Sequence, residues 1–473
     1  MSESNNDVTP QQDSIPDFIQ LSQIPVNYTQ QVETDLLEPV VFSDGSATTD
    51  GFIRFTLQNK GFLHSHSKIF LSVEPANASV GDAYFSPHLG VAQVVKKAVL
   101  KIGNKQLNEL DSIGGLMSVK STLITNENNV ERELYTTGRY LNHAFDYNSE
   151  SKTNASDYSL DAGVEKIVAT NNDVLLPDCV VMDGSAKTEC PTFMIDLSDL
   201  FPFLKVNQLP LYMLSEPVNI ELTLHPTTKF RAQISSGDTT EIAMNVSRAE
   251  CKFCADYIFY NMANDTMERY AQANRDMSFS FVDYRLVEHT TSSSELGSGV
   301  IRNLGMANRL VPRIIATLAD DTQNETSILG RYNSIAPTIN ASGVDDGKLR
   351  YNIRYNDRFE FTSDVDNTAR LFSIFTDSEG VPFITRSEFN GQALNSITSV
   401  QDFQTRNQDT NLKGQMFNLG TRLTNGRVGQ RGVELHITGT FPSSGRTPNL
   451  LRAYCEYLRV LRLTDGMVEL YNA

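Results

Sequence analysis

Apolar and polar residues alternate along several segments of the chain, and this alternation constrains the fold more than any other feature. In residues 218–225, single polar residues separate the apolar Val218, Ile220, Leu222 and Leu224. A period of two places all four apolar side chains on one face of an extended strand. The pattern therefore predicts a half-buried strand here. It recurs in segments 51–61, 67–75, 254–260, 276–289, 370–377 and 433–442.

Helical spacing is rare in comparison. The clearest predicted helix covers residues 264–275, where Asp265 can cap the first turn and Glu268 completes a capping box. Weaker signals occur at 116–124 and 197–204. The helix at 264–275 lies between two strand-rich blocks of similar length. Because antiparallel strands joined by long loops favour sandwiches and jelly rolls, the sequence predicts an all-β chain with two domains.

The remaining segments are polar. Residues 1–30 are rich in Gln, Ser, Asp, Asn and Pro, which is typical of an arm that becomes ordered only against a partner. Segments 143–172, 320–350 and 376–430 are long and polar as well, and are predicted to be loops. Loops of this length are uncommon in compact domains unless they have a function.

The charge balance excludes several classes of protein. The 473 residues include 40 Lys and Arg against 57 Asp and Glu, a net charge of −17. Such a chain is a poor candidate for coating nucleic acid or docking on anionic membranes, since both require basic residues. Its start is polar and acidic, unlike a signal peptide, and no apolar run approaches the roughly 18 residues of a membrane span. We therefore expect a soluble protein that is not secreted by a signal peptide.

Three loop motifs imitate known binding sites without completing them. Residues 297–303 begin like a dinucleotide fingerprint, but Arg302 stands where the third Gly is required. Residues 343–348 resemble a phosphate-binding loop with too few residues between the glycines. Residues 364–369 resemble a calcium loop, but Ala369 replaces the Gly of its sharp turn. All three are interpreted as solvated loops.

Metal and acid–base chemistry have equally little support. Five cysteines form an odd, scattered set, and Cys251 with Cys254 is a single CxxC without a second pair. His64 and His66 offer two ligands without a third. The sequence predicts no catalytic, cofactor-binding or metal-binding residues, and no enzyme. In a strand, the adjacent carboxylates of Asp320/Asp321 and of Asp345/Asp346 point to opposite faces, so neither pair supplies the facing carboxylates of a glycoside hydrolase. The basic cluster Lys96, Lys97, Lys101 and Lys105 indicates a solvated strand face or a subunit contact.

Two segments carry more specific patterns. The residues concerned are Leu458, Arg459, Val460, Leu461, Gly466, Met467, Leu470 and Asn472 within 453–473, and Asp256, Tyr257, Ile258, Glu268, Arg269, Tyr270 and Ala271 within the junction 254–279. In these residues the chain resembles the double jelly-roll major capsid proteins of eukaryotic double-stranded DNA viruses. Residues 453–473 are similar to the end of these proteins, where an Asn-Val-Leu-Arg-like strand precedes Gly-Met and a short apolar stretch. The junction is similar to their inter-barrel segment, in which a Tyr-Ile-rich strand enters a short Glu-Arg-(Phe/Tyr)-Ala helix.

Two further segments agree with the same family in the same order. Residues 90–119 resemble its strand–turn–helix unit, with Asn104 in place of a second Gly, and residues 200–224 resemble the segment before the last strands of the first barrel. The resemblance implies two consecutive eight-stranded antiparallel jelly rolls with short helices and long loops. It implies an inner arm at 1–30, a first jelly roll at 31–262, a linker helix at 263–275 and a second jelly roll at 276–473.

The resemblance also implies a function. Members of this family form homotrimers of pseudo-hexagonal outline that tile an icosahedral shell, together with penton and minor capsid proteins and in some cases an internal membrane. The expected location is the virion, with no sequence-specific nucleic-acid contact and no cofactor. Three alternatives remain open: a jelly-roll carbohydrate- or receptor-binding protein, a glycoside hydrolase on the same fold, and a minor capsid or penton protein.

Overall fold

The structure is a computed structural model that describes most of both predicted strand-rich blocks. The residues described are 28–46, 48–75, 82–84, 89–117, 136–138, 180–182, 192–226, 228–233, 239–262, 276–319, 350–366, 370, 373–374, 418–423, 426–439 and 449–472. The predicted arm before residue 28, the linker helix at 263–275 and the loop at 143–172 lie outside these residues.

Strands dominate both halves of the described chain. The first half contains β1 (Tyr28–Leu37), β2 (Val41–Ser43), β3 (Gly51–Thr56), β4 (Phe62–Leu63), β5 (Lys68–Pro75), β6 (Asp82–Tyr84), β7 (Val95–Ile102), β8 (Lys105–Asp111), β9 (Val180–Met182), β10 (Thr192–Asp196), β11 (Leu209–Pro210), β12 (Val218–Leu224), β13 (Thr228–Gln233), β14 (Thr239–Val246) and β15 (Lys252–Met262). The second half contains β16 (Asp276–Thr290), β17 (Val300–Gly305), β18 (Arg313–Ala319), β19 (Arg350–Tyr355), β20 (Arg358–Phe359), β21 (Asn418–Arg422), β22 (Val433–Thr438), β23 (Leu450–Thr464) and β24 (Met467–Asn472).

The helices are short. They are α1 (Leu197–Leu200), α2 (Pro202–Val206) and α3 (Ser293–Ser298), with 3₁₀ turns at Gly90–Val94 and Leu211–Met213. The α1–α2 pair confirms the helical signal predicted at 197–204. Residues 113–117 are helical too, and the rest of the stretch predicted at 116–124 lies outside the described residues.

Each half contains the same arrangement of eight strands in two sheets. In the second half the sheets have the orders β16-β23-β18-β21 and β17-β22-β19-β20. In the first half the corresponding orders are β1-β15-β5-β10 and β3-β12-β7-β8. Successive strands of each half alternate between its two sheets, except for one hairpin in each half, β7–β8 and β19–β20, whose two strands share a sheet. The first strand of each half pairs with a strand near its end. This is the wrapping of a jelly roll, and the predicted fold class is confirmed.

Additional strands extend this common plan. In the first half, β2 extends the smaller sheet, while β4, β6, β9, β11, β13 and β14 extend the larger one to ten strands. In the second half, β24 pairs with the end of β23. All described strand pairs are antiparallel.

Burial follows the sequence alternation where the alternation is strict. β12 and β3 are buried at every second residue, and so is β22. The buried apolar residues form one cluster that contains members of both halves. Burial of apolar area is the main favourable term in folding, so the halves share part of the energy that stabilises them.

Two predictions about local structure were wrong. Residues 370, 373 and 374 are helical, although a strand was predicted at 370–377; the spacing of Leu371, Ile374 and Phe375 fits one face of a helix as well as it fits a strand. The segment 376–430, predicted as a loop, contains β21. That strand is polar and contains Gly, so it has no alternation to detect, and its pairing with β18 defines it.

Candidate functional site: the junction between the two barrels

The junction between the two halves brings together more interacting side chains than any motif singled out in the sequence. The first half contributes β8 and α2, and the second contributes β16, β23 and the β23–β24 hairpin. Contacts of this kind fix the position of one half against the other, which makes this junction the candidate site.

Aromatic rings form the apolar part of the junction. Pro202 starts α2 at a position where its missing N–H costs nothing, and the next residue, Phe203, is fully buried. The Phe203 ring meets Phe281 of β16 edge to face, with centroids 5.1 Å apart, and Phe279 at 6.0 Å. Such pairs add to the energy of burial. The contact fastens α2 to the first strand of the second half.

A buried carboxylate forms the polar part. Asp283 on β16 accepts hydrogen bonds from Asn108 Nδ2 (3.1 Å) on β8, from Tyr457 Oη (3.1 Å) and from Arg459 Nη1 (2.8 Å). Its side chain is only 3% exposed. Asn108 also accepts from the backbone N–H of Phe203 at 3.0 Å, which fixes its amide. We call Asn108, Asp283, Tyr457 and Arg459 the clasp.

Arg459 ties the clasp to the backbone of the first half. Its Nη1 donates to the carbonyl oxygen of Leu107 at 2.9 Å as well as to Asp283. The guanidinium lies over the Phe281 ring, 5.8 Å from its centroid. Planar Arg side chains suit such partly buried, multiply bonded positions. One side chain of β23 therefore contacts β8 and β16 at once.

Burial controls the titration of the clasp. It raises the pKa of Asp283, while the charge of Arg459 and the hydrogen bonds from Asn108, Arg459 and Tyr457 oppose that shift. Burial, together with the nearby Asp283 charge, raises the pKa of Tyr457 to about 12. The Tyr457 hydroxyl therefore stays protonated at neutral pH and donates a hydrogen bond to Asp283.

The outer edge of β16 is also protected. Its Ser280 carbonyl accepts from Asn207 Nδ2 at 3.1 Å, and its Val282 carbonyl accepts from Asn108 Nδ2 at 3.5 Å. An uncovered strand edge is a template for pairing with another chain. Here two asparagine side chains of the first half occupy that edge.

Two further contacts lie at other points of the junction. The Tyr454 hydroxyl, on β23, donates to the Ser112 carbonyl at 2.8 Å. A Cβ on Gly115 would lie only 2.3 Å from that hydroxyl oxygen, so the contact requires glycine at this position. Gly466 lies in a turn with φ of 81°. Its carbonyl oxygen accepts hydrogen bonds from the backbone N–H (3.2 Å) and the hydroxyl (2.8 Å) of Ser215. Contacts at separate points resist rotation of one half against the other.

A cleft of about 870 Å³ lies beside the clasp. It is lined by β8, β16, β23 and β24, including Lys105, Asp111, Arg285, Arg309 and Tyr471. Four acidic and four basic side chains line it, so its charge favours neither an anion nor a cation. Arg309 covers the face of the Tyr457 ring at 4.7 Å and thus lies against the clasp.

The basic cluster predicted on β7 and β8 is largely neutralised within the sheet. Lys105 instead donates to the Val468 carbonyl of the second half, so one member of the cluster reaches the junction. The other three form ion pairs, which are Lys96–Asp50, Lys97–Glu109 and Lys101–Glu221.

The two histidines pack against each other, and the two cysteines are not bonded to each other. The rings of His64 and His66 stack with centroids 4.8 Å apart, and His64 Nδ1 accepts the N–H of His66. Burial lowers the pKa of His64, as does the adjacent His66. Cys251 is buried and Cys254 is partly exposed, and both thiols are free. Burial raises the pKa of Cys251 to about 12, which makes it a poor nucleophile.

The clasp residues Asn108 and Asp283 were not identified in the sequence. The only available signal was that Asp283 follows Phe279 and Phe281 on the same strand face, where an apolar residue would be expected. Among the described residues, no group of three or more His, Cys, Asp or Glu side chains is placed to hold a metal ion. No helix in the described part of the chain is long and apolar enough to cross a membrane. The Asp320/Asp321 and Asp345/Asp346 pairs lie outside the described residues.

Comparison with known proteins identifies the fold. No protein-family profile and no curated protein sequence matches the chain. Among solved structures, the chain is similar to the quasi-atomic model of the PBCV-1 virus capsid, with a TM-score of 0.50 at 14% identity over 94% of this chain and 98% of that one. It is similar to a chain of the Sputnik virophage, with a TM-score of 0.52 at 11% identity over 93% of this chain and 88% of that one. A mavirus major capsid protein covers 93% of the chain at 8% identity and a TM-score of 0.47.

These similarities agree with the sheet orders. At such low identities they establish the fold, which is the double jelly roll of viral capsid proteins. The resemblance predicted from the sequence is confirmed at this level. The shared fold does not by itself transfer a function.

Proposed function

We propose that this protein is a major capsid protein, the structural subunit of an icosahedral virion shell. One observation carries the proposal: two jelly rolls of equal strand order lie in one chain and are locked together by the junction around Asp283. A subunit with two similar, rigidly joined barrels gives six barrels when three copies associate. Six barrels give a pseudo-hexagonal outline, and such an outline tiles a surface.

The proposal includes the finer predictions from the sequence. Three copies form a capsomer, capsomers contact one another through weaker interfaces, and penton and minor capsid proteins complete the shell, with an internal membrane where the virus has one. The inner arm is residues 1–30, of which the last three already belong to β1, and the barrels are 31–262 and 276–473. The protein works by shape-complementary association and not by catalysis.

The test is the mass of the purified full-length chain in solution. Light scattering after gel filtration is expected to give about 158 kDa, three times the chain mass of 52.7 kDa, or a much larger particle. Electron microscopy of the same sample should then show hexagonal capsomers. A monomer that persists across protein concentration and salt would refute the proposal and favour a carbohydrate- or receptor-binding jelly roll, which a glycan array would test next.

A further inference from the structure

The first strands of the two barrels are equivalent, and so are the strands at the far edge of their smaller sheets. β1 and β16 each begin a barrel and pair with its last long strand, β15 or β23. β8 and β20 each end the smaller sheet, next to β7 or β19. Each barrel therefore has a first-strand side and an opposite side formed by β8 or β20.

Within the chain, one of these sides covers the other. β8 packs on β16, where Asn108 donates to Asp283 and to the Val282 carbonyl. The contact is heterologous, because different surfaces of two similar barrels meet. A heterologous contact that repeats builds a ring where its rotation closes, and an open filament where it does not. The same contact can therefore repeat between copies only if β20 of one copy meets β1 of another.

β1 presents the surface that such a contact requires. Among the described strands only β15 pairs with β1, so its outer edge has no strand partner in this part of the chain. Val32 and Leu36 lie on one face of β1 and are 52% and 57% exposed, and Val40, just beyond it, is 62% exposed. Exposed apolar groups on a long strand edge normally mark an interface.

β20 presents a matching apolar group. Phe359 is 52% exposed, and its ring forms a T-shaped pair with the His436 ring, with centroids 5.1 Å apart. It lies on the outermost described strand of its sheet. Aromatic side chains are enriched at protein interfaces. Phe359 thus occupies the side of the second barrel that corresponds to β8.

Charge adds a smaller contribution. Glu33 and Asp35 lie on the opposite face of β1 from Val32 and Leu36, and both pair with Lys60. Glu38, just beyond β1, is exposed and can meet a cation. Arg358 on β20 and Arg427, whose carbonyl accepts from the nearby Asn356, are exposed and form no ion pair among the described residues. Complementary charge favours the correct partner and suppresses wrong ones.

From these observations we infer that β20 of one copy docks on β1 of the next, repeating between chains the contact that β8 makes with β16 within a chain. The occupant of the β1 surface is thus a second copy of this chain. Three copies joined in this way alternate first and second barrels around a closed ring. The inference rests on the proposed function and adds to it the two surfaces that meet.

Cysteine cross-linking of the full-length chain tests the contact directly. Val32→Cys and Phe359→Cys change exposed side chains and should leave the fold intact, and Val32 lies opposite Ile258 on β15 and not opposite a native thiol. With a bismaleimide, the double variant is expected to give covalent dimers and trimers on a denaturing gel. An equal mixture of the two single variants, dissociated and reassembled, should give dimers only. Wild type treated in the same way measures the background from the native cysteines, including the partly exposed Cys254.

A second variant measures the contribution of the surface. Phe359→Asp is expected to lower the solution mass about threefold, from trimer to monomer. Ile301→Asp is the matched control, because Ile301 is 60% exposed on β17, at the opposite edge of the same sheet, and should leave the mass unchanged.

The outcomes separate this inference from the proposed function. A trimeric wild type whose double variant cross-links no more than background would overturn the inference and leave the capsid proposal standing. Cross-linking of Val32→Cys alone at the level of the double variant would indicate a symmetric β1–β1 contact, and would also overturn the inference. A trimer that survives Phe359→Asp would do the same. A monomeric wild type would overturn both proposals.

Discussion

β1 and β16 occupy the same place in their barrels, but β16 is covered by the other half of the chain and β1 is not. The covered strand carries Phe281 and Asp283, both almost fully buried. The uncovered strand carries Val32 and Leu36 at about half exposure. An equivalent position in the fold has thus acquired different side chains according to what lies against it. The jelly-roll fold sets the path of the first strand in each barrel, whereas the surface packed against that strand determines which side chains it presents.

The two halves also differ in their basic residues. From residue 276 onward the chain has eighteen Arg and two Lys, whereas before it the chain has seven Arg and thirteen Lys. The second half uses Arg in partly buried pairs such as Arg313–Glu456, with side chains 14% and 12% exposed. In the first half, the pair Lys60–Asp35 is about twice as exposed. Arg keeps its charge and bonds in several directions when buried, which Lys does less well.

The largest predicted effect contrasts one side chain from each first strand. Phe281→Ala on β16 removes a buried ring from the junction and should lower the free energy of unfolding by about 3–5 kcal/mol. Val32→Ala on β1 trims an exposed side chain and should change it by less than about 0.5 kcal/mol in the dissociated subunit. Urea denaturation measures both values.

Protein concentration sharpens this contrast. If β1 lies in a contact between copies, the effect of Val32→Ala on the unfolding midpoint should grow with concentration, because association stabilises the folded state by mass action. The effect of Phe281→Ala should be present at every concentration. Equal, concentration-independent losses for both variants would refute the distinction between a covered and an uncovered strand.

The next prediction compares the ion pairs of the two strands. Arg459→Met leaves Asp283 buried without its counter-charge and should cost about 3–5 kcal/mol, as expected for a broken buried pair. Lys60→Met removes the partner of Glu33 and Asp35 on β1 and should cost about 0–1 kcal/mol, because exposed pairs contribute little. A double-mutant cycle with Asp283→Asn isolates the Asp283–Arg459 coupling. A coupling near zero would mean that the clasp does not hold the halves together.

Strict alternation is what made much of the fold predictable. β12 reads apolar at every second residue and is buried at those residues, so its existence and orientation were clear from the sequence. β21, with the sequence Asn-Leu-Gly-Thr-Arg, has no such pattern, and only pairing with β18 reveals it. An alternation of apolar and polar residues shows which face of a strand is buried. It does not reveal a strand such as β21, which is defined by its pairing with another strand.

The junction was less predictable for the same reason. Asn108 and Asp283 are 175 residues apart, and neither belongs to a motif. Their chemistry appears only when β8 and β16 meet. Arg459 was noticed through the family resemblance, but its bonds to the Leu107 carbonyl and to Asp283 were not foreseen. A buried polar network formed between distant segments leaves at most one trace in a single sequence, a polar residue where an apolar one is expected.

The smallest predicted effect is a pH dependence that β16 owes to Asp283. Burial raises the folded-state pKa of Asp283 above its ordinary value of 3.8, so the folded state holds this proton more tightly than the unfolded state does. The resulting stabilisation is complete below the ordinary pKa and is lost as the pH rises through the higher folded-state pKa. Compared with Asp283→Asn, which cannot titrate, wild type should lose relative stability over that window and change no further above it.

Arg459 sets the upper limit of the window, because its charge lowers the pKa of Asp283. In an Arg459→Met background the loss should therefore continue to higher pH. Urea unfolding of the four variants at half-unit pH steps measures both windows. A wild-type curve parallel to that of Asp283→Asn would show that the carboxylate titrates alike in the folded and unfolded states. In that case the covering of β16 by the first half would impose no electrostatic cost, and the contrast with β1 would rest on apolar packing alone.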